Sequence, residues 1–323
     1  MSKLMVMAAL AAALGLSFPA TPAAAQVGEG KPIRFVVPFP PGSGTDTSAR
    51  YFAKKISELT GQAVVVDNKP GANGFIAVQS VLTGPADGST VFIGTSSALA
   101  VNVALFKKLP YNPQTDFTPL SMMTRLPTVV VVPSSSPYKT LSELISAARA
   151  SPGKLNHGAG SAGYQLMNEA LKERASIDIT NVPFKGASEA LNAAAAGTVD
   201  LAFTDITASA ELVKAGRLRA LAVASERRAP ALPSVPSMAE AGLPGYSAYV
   251  WVAAVVSAKT PKAEVEHLAQ LFTRIERLPE TRQFYERIGG EVMQGGPEEL
   301  RSFQAAEIDM WKRLAVKAKV EQE

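Results

Sequence analysis

Apolar positions along this chain predict strands that alternate with amphipathic helices. A strand-like run at Ile33–Val37 leads through a loop rich in proline and glycine into a helical stretch at residues 47–59. Comparable strand–loop–helix units recur as far as residue 256, and the chain from Pro261 onward is mostly helical. This alternation is typical of an α/β fold in which helices cover parallel sheets.

The remaining elements follow from the same patterns. Thr140 and Glu143 form a capping box, and Gly296 followed by Pro297 indicates another helix start. Strands are predicted at residues 63–67, 90–93, 128–132, 177–182, 199–203, 218–224 and 248–256, and helices at 76–82, 141–150, 164–174, 187–196 and 209–215.

Residues 1–25 have the pattern of a secretory signal peptide. Lys3 supplies the positive start, residues 4–16 form the apolar segment, and Ala25 ends a run of small residues before the expected cleavage. A membrane anchor is the alternative, but the apolar run is short for a span and prolines follow it. The sequence therefore predicts a protein exported to a bacterial periplasm.

Composition narrows the classes of function. The net charge of +4 becomes +3 without Lys3, and the other Lys and Arg residues are scattered rather than clustered. This distribution argues against a nucleic-acid partner. The chain has no Cys and two His without ligand-like spacing, so no disulfide framework, metal site or cofactor is expected. About 300 residues after the signal suggest two domains in a monomer.

The loop after the first predicted strand is the leading candidate for chemistry. Pro41, Gly42 and Ser43 lie in a glycine-rich turn, and Thr45 and Asp46 are expected to cap the helix that follows. Such a junction presents unpaired backbone N–H groups and the positive end of a helix dipole to an anion. Because the loop lacks the Lys of a phosphate-binding P-loop, a carboxylate is the better candidate.

A second glycine-rich turn, at residues 158–163, allows three interpretations. With Asp178 it has the spacing of a dinucleotide-binding fingerprint, although the strand before it is short and polar. Ser161 also approaches the nucleophile elbow of a serine hydrolase, for which His157 and His267 are the available bases. The third interpretation is a tight turn without a ligand. In each case the glycines open a helix start that is suited to an anion.

A few other polar or aromatic positions are candidates for a ligand site. Ser96 and Ser97 follow a predicted strand, and Asp205 follows another, at the edge where parallel sheets place their ligands. Lys185, beside a helix start, is either a counter-charge for an anion or a solvated loop residue. Trp251 is expected either to cover the site or to pack between domains.

Motifs along the whole chain after the signal resemble the solute-binding proteins of tripartite tricarboxylate transporters, the Bug family. No single motif is specific, but the set is. The matching stretches include PFPPGSGTDTSAR at residues 38–50, VVVDNKPGAN at 64–73, PADG at 85–88, PGKLN at 152–156, VPFKG at 182–186, AGRLRALAV at 215–223 and LPSVPSMAEAGLPGY at 232–246.

The resemblance implies an α/β, two-lobed, periplasmic-binding-protein-like II fold, or Venus flytrap, with a ligand cleft between the lobes. It implies a receptor, not an enzyme, that captures a small carboxylate for a membrane permease. In such proteins, backbone N–H groups, hydroxyls and water hold the carboxylate rather than an Arg. The lobes are expected at residues 26–125 plus 251–323 and at residues 126–250.

By the same likeness, both lobes contribute to the ligand site. Asp46 is expected to be architectural or water-orienting, because a bare carboxylate would repel an anionic ligand. One wall is expected to contain Pro41, Gly42, Ser43, Thr45, Asp46, Ser96 and Ser97, and the other Gly160, Ser161, Ala162, Gly163, Tyr164, Lys185, Gly186, Ala187, Thr204 and Asp205.

The chain departs from the family pattern at several of these positions. The family usually has Gly where Ser43 stands, Tyr where His157 stands and Ser where Tyr164 stands. Its common Asp-Asn pair is replaced here by Thr204 and Asp205. Tyr164 is therefore expected to narrow the pocket or line it with an aromatic ring. Two other functions stay open from the sequence: a sensor that reports to a membrane kinase and a periplasmic serine hydrolase.

Overall fold

The computed structural model describes residues 31–318, 320 and 322, so the predicted signal peptide at residues 1–25 lies outside the described residues. Within the described part, every helix is too short or too polar to cross a bilayer. The strands are β1 (Ile33–Val37), β2 (Val64–Asn68), β3 (Thr90–Thr95), β4 (Phe117–Pro133), β5 (Asn156–Ala159), β6 (Thr180–Pro183), β7 (Leu201–Asp205), β8 (Leu218–Val223), β9 (Tyr249–Ser257) and β10 (Glu291–Val292).

The helices occupy most of the segments between the strands. They are α1 (Gly44–Thr60), α2 (Phe75–Leu82), α3 (Asn102–Leu105), α4 (Leu141–Ala150), α5 (Ala162–Ala175), α6 (Ala187–Ala195), α7 (Ile206–Lys214), α8 (Lys262–Glu276), α9 (Pro279–Ile288) and α10 (Pro297–Lys317). The predicted βα alternation is confirmed, with most bounds moved by one to four residues.

The strands form one curled sheet in the order β2-β1-β3-β9-β4-β7-β5-β6, with β8 and β10 also paired to β4. The first lobe contains β1, β2 and β3 with the helices that flank them, and here β1 runs parallel to both neighbours. The second lobe contains β5 to β8, and β5 runs parallel to β6 and β7. The long strands β4 and β9 are antiparallel to their neighbours, so the expectation of parallel sheets holds only within each lobe.

Strand β4 carries the chain from one lobe to the other. Its first part pairs with β9 from Phe117↔Ser257 to Pro127↔Tyr249, and from Thr128 onward it pairs with β7 and β8 instead. The sequence predicted only residues 128–132, because polar residues and prolines interrupt the apolar pattern before them. The pairing itself is irregular there, with register shifts between Pro119 and Ser121 and between Met122 and Thr124.

Helix α1 starts earlier than the sequence suggested, and its cap is a different residue. Ser43 is the N-cap, and its Oγ accepts a hydrogen bond of 3.2 Å from the backbone N–H of Asp46. The expectation that Thr45 and Asp46 cap this helix is therefore wrong, because both already lie in its first turn. The predicted cap of α4 is confirmed, since Thr140 Oγ1 accepts from the N–H of Glu143 at 3.2 Å.

Trp251 is buried in a hydrophobic cluster that includes residues of both lobes. Its side chain is 1% exposed, and its Nε1 donates a 2.8 Å hydrogen bond to Glu307 on α10. Trp311 donates to the same carboxylate oxygen at 3.1 Å. Burial raises the pKa of Glu307, while the hydrogen bonds from the two indoles partly offset that effect. Trp251 therefore ties β9 to α10. Of its two expected roles, its burial in this cluster favours packing over covering the site.

A second buried acid, Glu276, ends helix α8. It is 3% exposed and accepts a short hydrogen bond from Ser121 on β4. Burial raises the pKa of Glu276 to about 8, although hydrogen bonds from Ser121 and the backbone of Gly295 act in the opposite direction. This carboxyl group is therefore protonated in the folded protein at pH values where it is ionised in the unfolded chain.

Replacing Glu276 by Gln is expected to stabilise the protein at alkaline pH. The folded pKa is raised from 4.5 to about 8, so ionisation increasingly favours unfolding as the pH rises between these values. The gain should be near zero below about pH 4 and reach roughly 5 kcal/mol above about pH 8. Thermal unfolding monitored by circular dichroism across this pH range measures it.

Glu211→Gln is the matched control, because Glu211 is exposed and pairs with Lys214 at the surface. This change should shift the melting temperature little at any pH. An equal gain for Glu276→Gln at both ends of the pH range would contradict the assignment of Glu276 as a buried group with a raised pKa.

Candidate functional site

Four helices begin at the interface between the two lobes. Helix α1 starts there from the first lobe, and α5, α6 and α7 start there from the second. Between them lies a cavity of about 10 Å³, room for about one water molecule. The cavity is lined by Phe39, Ser43, Thr45, Ser97, Ser161, Tyr164, Ala187, Asp205 and Val250.

The start of α1 forms part of the first wall. Ser43 and Thr45 line the cavity, while Pro41 and Gly42 are exposed in the turn before the helix. Gly42 adopts a left-handed conformation (φ +83°), and its N–H donates to Asp46 Oδ2 at 2.9 Å. The turn therefore places the hydroxyl groups of Ser43 and Thr45 toward the opposite lobe.

Asp46 acts within its own lobe. Its carboxylate accepts hydrogen bonds from Gly42 N, Arg50 Nε (3.0 Å) and Asn68 Nδ2 (2.9 Å). Burial alone would raise the pKa of Asp46, but these hydrogen bonds and the charge of Arg50 outweigh it and lower the pKa. This geometry supports the architectural role expected for Asp46.

Ser96 and Ser97 complete the first wall at the end of β3. Ser97 begins a π-helical turn, and its Oγ donates to Ser161 Oγ of the second lobe at 3.3 Å. Ser96 is fully buried, and its hydroxyl has no hydrogen-bond partner within the described part of the chain. Only Ser97 of this pair lines the cavity.

The glycine-rich turn after β5 forms the centre of the second wall. Ser161 caps α5, with its Oγ accepting from the N–H of Tyr164 at 3.4 Å. A Cβ at Gly160 would lie 2.6 Å from the backbone of Ala187, so only glycine lets this turn approach the start of α6. A Cβ at Gly163 would lie 3.0 Å from Ser97 Oγ across the cleft. Gly160 thus lets the starts of α5 and α6 approach each other, and Gly163 lets the start of α5 approach the π-helical turn of the first lobe.

The N–H of Ala162 is already engaged across the cleft. It donates to Asn73 Oδ1 of the first lobe at 3.2 Å. Asn73 adopts a left-handed conformation (φ +50°), and its carbonyl oxygen accepts from Asn102 Nδ2 at 3.0 Å. The backbone of Asn73 thus holds its amide oxygen against the start of α5.

The three residues at the start of α6, 185–187, differ in how close they lie to the cavity. Gly186 is buried, and a Cβ there would lie 2.9 Å from Pro40 of the opposite wall. Ala187 lines the cavity. Lys185 is exposed and lines a wider outer opening with Asn73 and Phe184, outside the enclosed cavity.

Tyr164 and Asp205 form a buried pair at the far side of the cavity. Tyr164 Oη donates to Asp205 Oδ2 at 3.1 Å and accepts from the N–H of Asp205 at 3.0 Å. Asp205 Oδ1 also caps α7 through the N–H of Ala208 at 3.0 Å. Burial raises the pKa of both side chains. Thr204 is buried beside them but does not line the cavity.

His157 is not placed to activate Ser161. Its Nδ1 lies 2.8 Å from Asn181 Oδ1, and its Nε2 accepts from the N–H of Phe203 at 3.0 Å. Burial lowers the pKa of His157 to about 4, so the ring stays neutral. Because both nitrogens are engaged, the geometry does not support a Ser–His pair.

The dinucleotide interpretation also lacks its acidic residue. Asp178 is exposed at the other end of β5, beside Gly153, and pairs with Lys172 at 3.2 Å. It is therefore not brought to the glycine-rich turn at residues 158–163.

Sequence reasoning missed several residues of the site. Phe39 and Val250 line the cavity with apolar surface, and Asn73 reaches across the cleft. The signal for Asn73 was present, because it lies between glycines in the motif at residues 64–74 that requires positive φ values. Val250 carried no such signal, since it reads as one residue of an apolar strand.

Comparisons with known proteins identify the family. Residues 48–320 match the tripartite tricarboxylate transporter family receptor, TctC. The chain belongs to this receptor family. Protein BugT of Bordetella pertussis is 32% identical over 295 residues, 90% of this chain and 90% of BugT.

Solved structures agree with the family assignment. The structure of R. palustris Rpa4515 with adipate has a TM-score of 0.86 at 35% identity and covers 90% of this chain and 98% of that one. MatC from Rhodopseudomonas palustris with bound malate has a TM-score of 0.80 at 30% identity and covers 87% of this chain and 98% of MatC. The family, the two-lobed solute-binding fold and the receptor function expected from the sequence are therefore confirmed.

Gly186→Ala is expected to weaken ligand binding by hindering closure of this TctC-family receptor. Its φ of −179° suits alanine, but the new Cβ would lie 2.9 Å from the ring of Pro40 on the opposite wall. Overpacking of this kind costs about 1–3 kcal/mol, so a carboxylate that binds the wild type should bind about tenfold more weakly or worse. Isothermal titration calorimetry measures the change.

Gly296→Ala is the matched control, because its Cβ would meet only the end of the Glu299 side chain at 3.5 Å. Both variants should keep the wild-type circular dichroism spectrum. Unchanged affinity in Gly186→Ala would show that the two walls do not approach this closely when the ligand is bound.

Proposed function

We propose that this receptor captures a small carboxylate between its lobes in the periplasm and delivers it to a membrane permease of the tripartite tricarboxylate type. The observation that carries the proposal is the convergence of the α1, α5 and α6 starts on a cavity lined by hydroxyl groups. Such helix starts bind anions through their N–H groups and dipoles. Rpa4515 with adipate and MatC with malate support a carboxylate as the ligand.

The hydrogen-bond donors of the cleft are sufficient for micromolar affinity. Micromolar binding requires about 8 kcal/mol. Hydrogen bonds to a charged group contribute about 1.5–3 kcal/mol each, and the cleft offers backbone N–H groups with the hydroxyls of Ser43, Thr45, Ser97 and Ser161. No Arg or Lys is among the described residues that line the enclosed cavity. The expected ligand-facing residues of both walls therefore remain our proposal for the site.

We propose that binding requires the lobes to open and then close. The cavity of about 10 Å³ is far smaller than a dicarboxylic acid, and Ser97 touches Ser161 across it. We place the lobes at residues 26–125 plus 251–323 and at 126–250, a division supported by the change of pairing partners along β4. The carboxylate would dock on the helix starts of one lobe before the other closes over it.

Carboxylates are expected to raise the melting temperature of the mature protein. A ligand that binds only the folded state at about 100 times its Kd adds about 2.7 kcal/mol, or roughly 5 °C for a protein of this size. A thermal-shift screen of mono- and dicarboxylic acids at equal ionic strength measures this effect.

The diamides of the same acids are the control, because they keep the shape but lack the charge. They should produce little shift. If no acid stabilised the protein at millimolar concentration, or the diamides stabilised it equally, the carboxylate proposal would be wrong.

We also propose that the receptor acts as a monomer and not as a hydrolase. Both ring nitrogens of His157 are engaged by other groups, so His157 is not available as a base for Ser161. A fluorophosphonate probe is therefore expected to leave the protein unlabelled by intact-mass spectrometry. Labelling of the wild type that is lost in Ser161→Ala would contradict this proposal and support a serine hydrolase.

A further inference from the structure

One carboxylate of the protein occupies a place suited to a ligand carboxylate. Asp205 comes from the second lobe and lies against Gly44, the first residue of α1 in the first lobe. A Cβ at Gly44 would lie 2.5 Å from Asp205 Oδ1, so only glycine permits this approach. An anion that binds at the start of α1 therefore lies next to the Asp205 carboxylate.

Asp205 has little freedom to turn away from an incoming ligand. Tyr164 Oη holds one oxygen at 3.1 Å, and the N–H of Ala208 holds the other at 3.0 Å. The side chain is 4% exposed, so solvent does not screen it. A ligand bound in the cavity thus faces a fixed acidic group.

Nothing in the described part of the cavity wall neutralises this group. The nearest basic candidate from the sequence, Lys185, lies at the outer opening. Arg50 is exposed and pairs with Asp46 at 3.0 Å. The hydroxyls of Ser97 and Ser161, by contrast, meet at the junction between the lobes. The cavity is therefore lined by donor groups around Ser97 and Ser161 and by an acid at Asp205.

We propose that Asp205 is a specificity-determining residue, which selects acids that carry a hydroxyl or ammonium group over plain dicarboxylates of equal length. This proposal rests on carboxylate binding in the cleft. The ligand carboxylate lies at the hydroxyl-lined helix starts, and its own donor group satisfies Asp205. A plain dicarboxylate brings a second negative charge toward Asp205, and a buried pair of like charges is unfavourable.

Matched ligands test the proposal by calorimetry with the mature protein. Succinate, malate and aspartate share a four-carbon chain, and adipate and 2-aminoadipate share a six-carbon chain. In each set the wild type should bind the donor-bearing acid at least about tenfold more tightly, the change expected for one hydrogen bond to a charged group. Asp205→Asn, which keeps an oxygen to cap α7, should reduce this ratio to about threefold or less by improving the plain acid.

Two further variants separate charge from shape. Tyr164→Phe removes the anchoring hydroxyl but leaves the Asp205 charge, so the preference should persist. Asp178→Asn makes the same charge change at an exposed position of the second lobe and should leave every affinity as in the wild type.

Equal binding of plain and donor-bearing acids by the wild type would overturn the proposal, as would an unchanged ratio in Asp205→Asn. Loss of the preference in Tyr164→Phe together with its retention in Asp205→Asn would assign selectivity to the Tyr164 hydroxyl instead. If none of the acids bound to the wild type, carboxylate capture itself would fail, which is a different result from binding without selectivity.

Discussion

The close approach of backbone at three glycines to side chains of the opposite lobe is the constraint on which this structure depends. Gly44, Gly163 and Gly186 each lie where a Cβ would press against the opposite lobe. Because these three residues have no Cβ, the starts of α1, α5 and α6 lie close to side chains of the opposite lobe. The requirement for glycine is thus set by the space that side chains of the opposite lobe leave at these three positions.

Buried carboxyl groups serve two different purposes in this fold. Glu276 and Glu307 lie inside the first lobe, where each accepts hydrogen bonds that join a helix to the sheet. Asp205 lies between the lobes, where its acceptors face a cavity that is otherwise lined by donors and apolar groups. Burial raises the pKa of all three. Their positions, not their chemistry, therefore separate a structural acid from one that faces the candidate ligand site.

Local patterns predicted the elements well because the relevant forces are local. The capping interaction of Thr140 and the apolar period of Leu141–Ala150 lie within a few residues, and the predicted bounds match. The sequence did not predict the first half of β4, because polar residues interrupt its apolar pattern. Its partner, β9, lies more than 100 residues later and supplies the pairing that makes it a strand. The same limit applies to the site. The glycines around Ser161 identified it from the sequence, whereas the contact between Tyr164 and Asp205 forms only when α5 and α7 pack together.

Strand β4 passes from one lobe to the other without a loop, and for part of its length it is paired to β9. Motion between the lobes must then be absorbed as torsion and bending of a two-stranded ribbon. The backbone hydrogen bonds between β4 and β9 oppose such deformation more strongly as it increases. The opening that we propose therefore deforms a hydrogen-bonded ribbon rather than an unpaired linker.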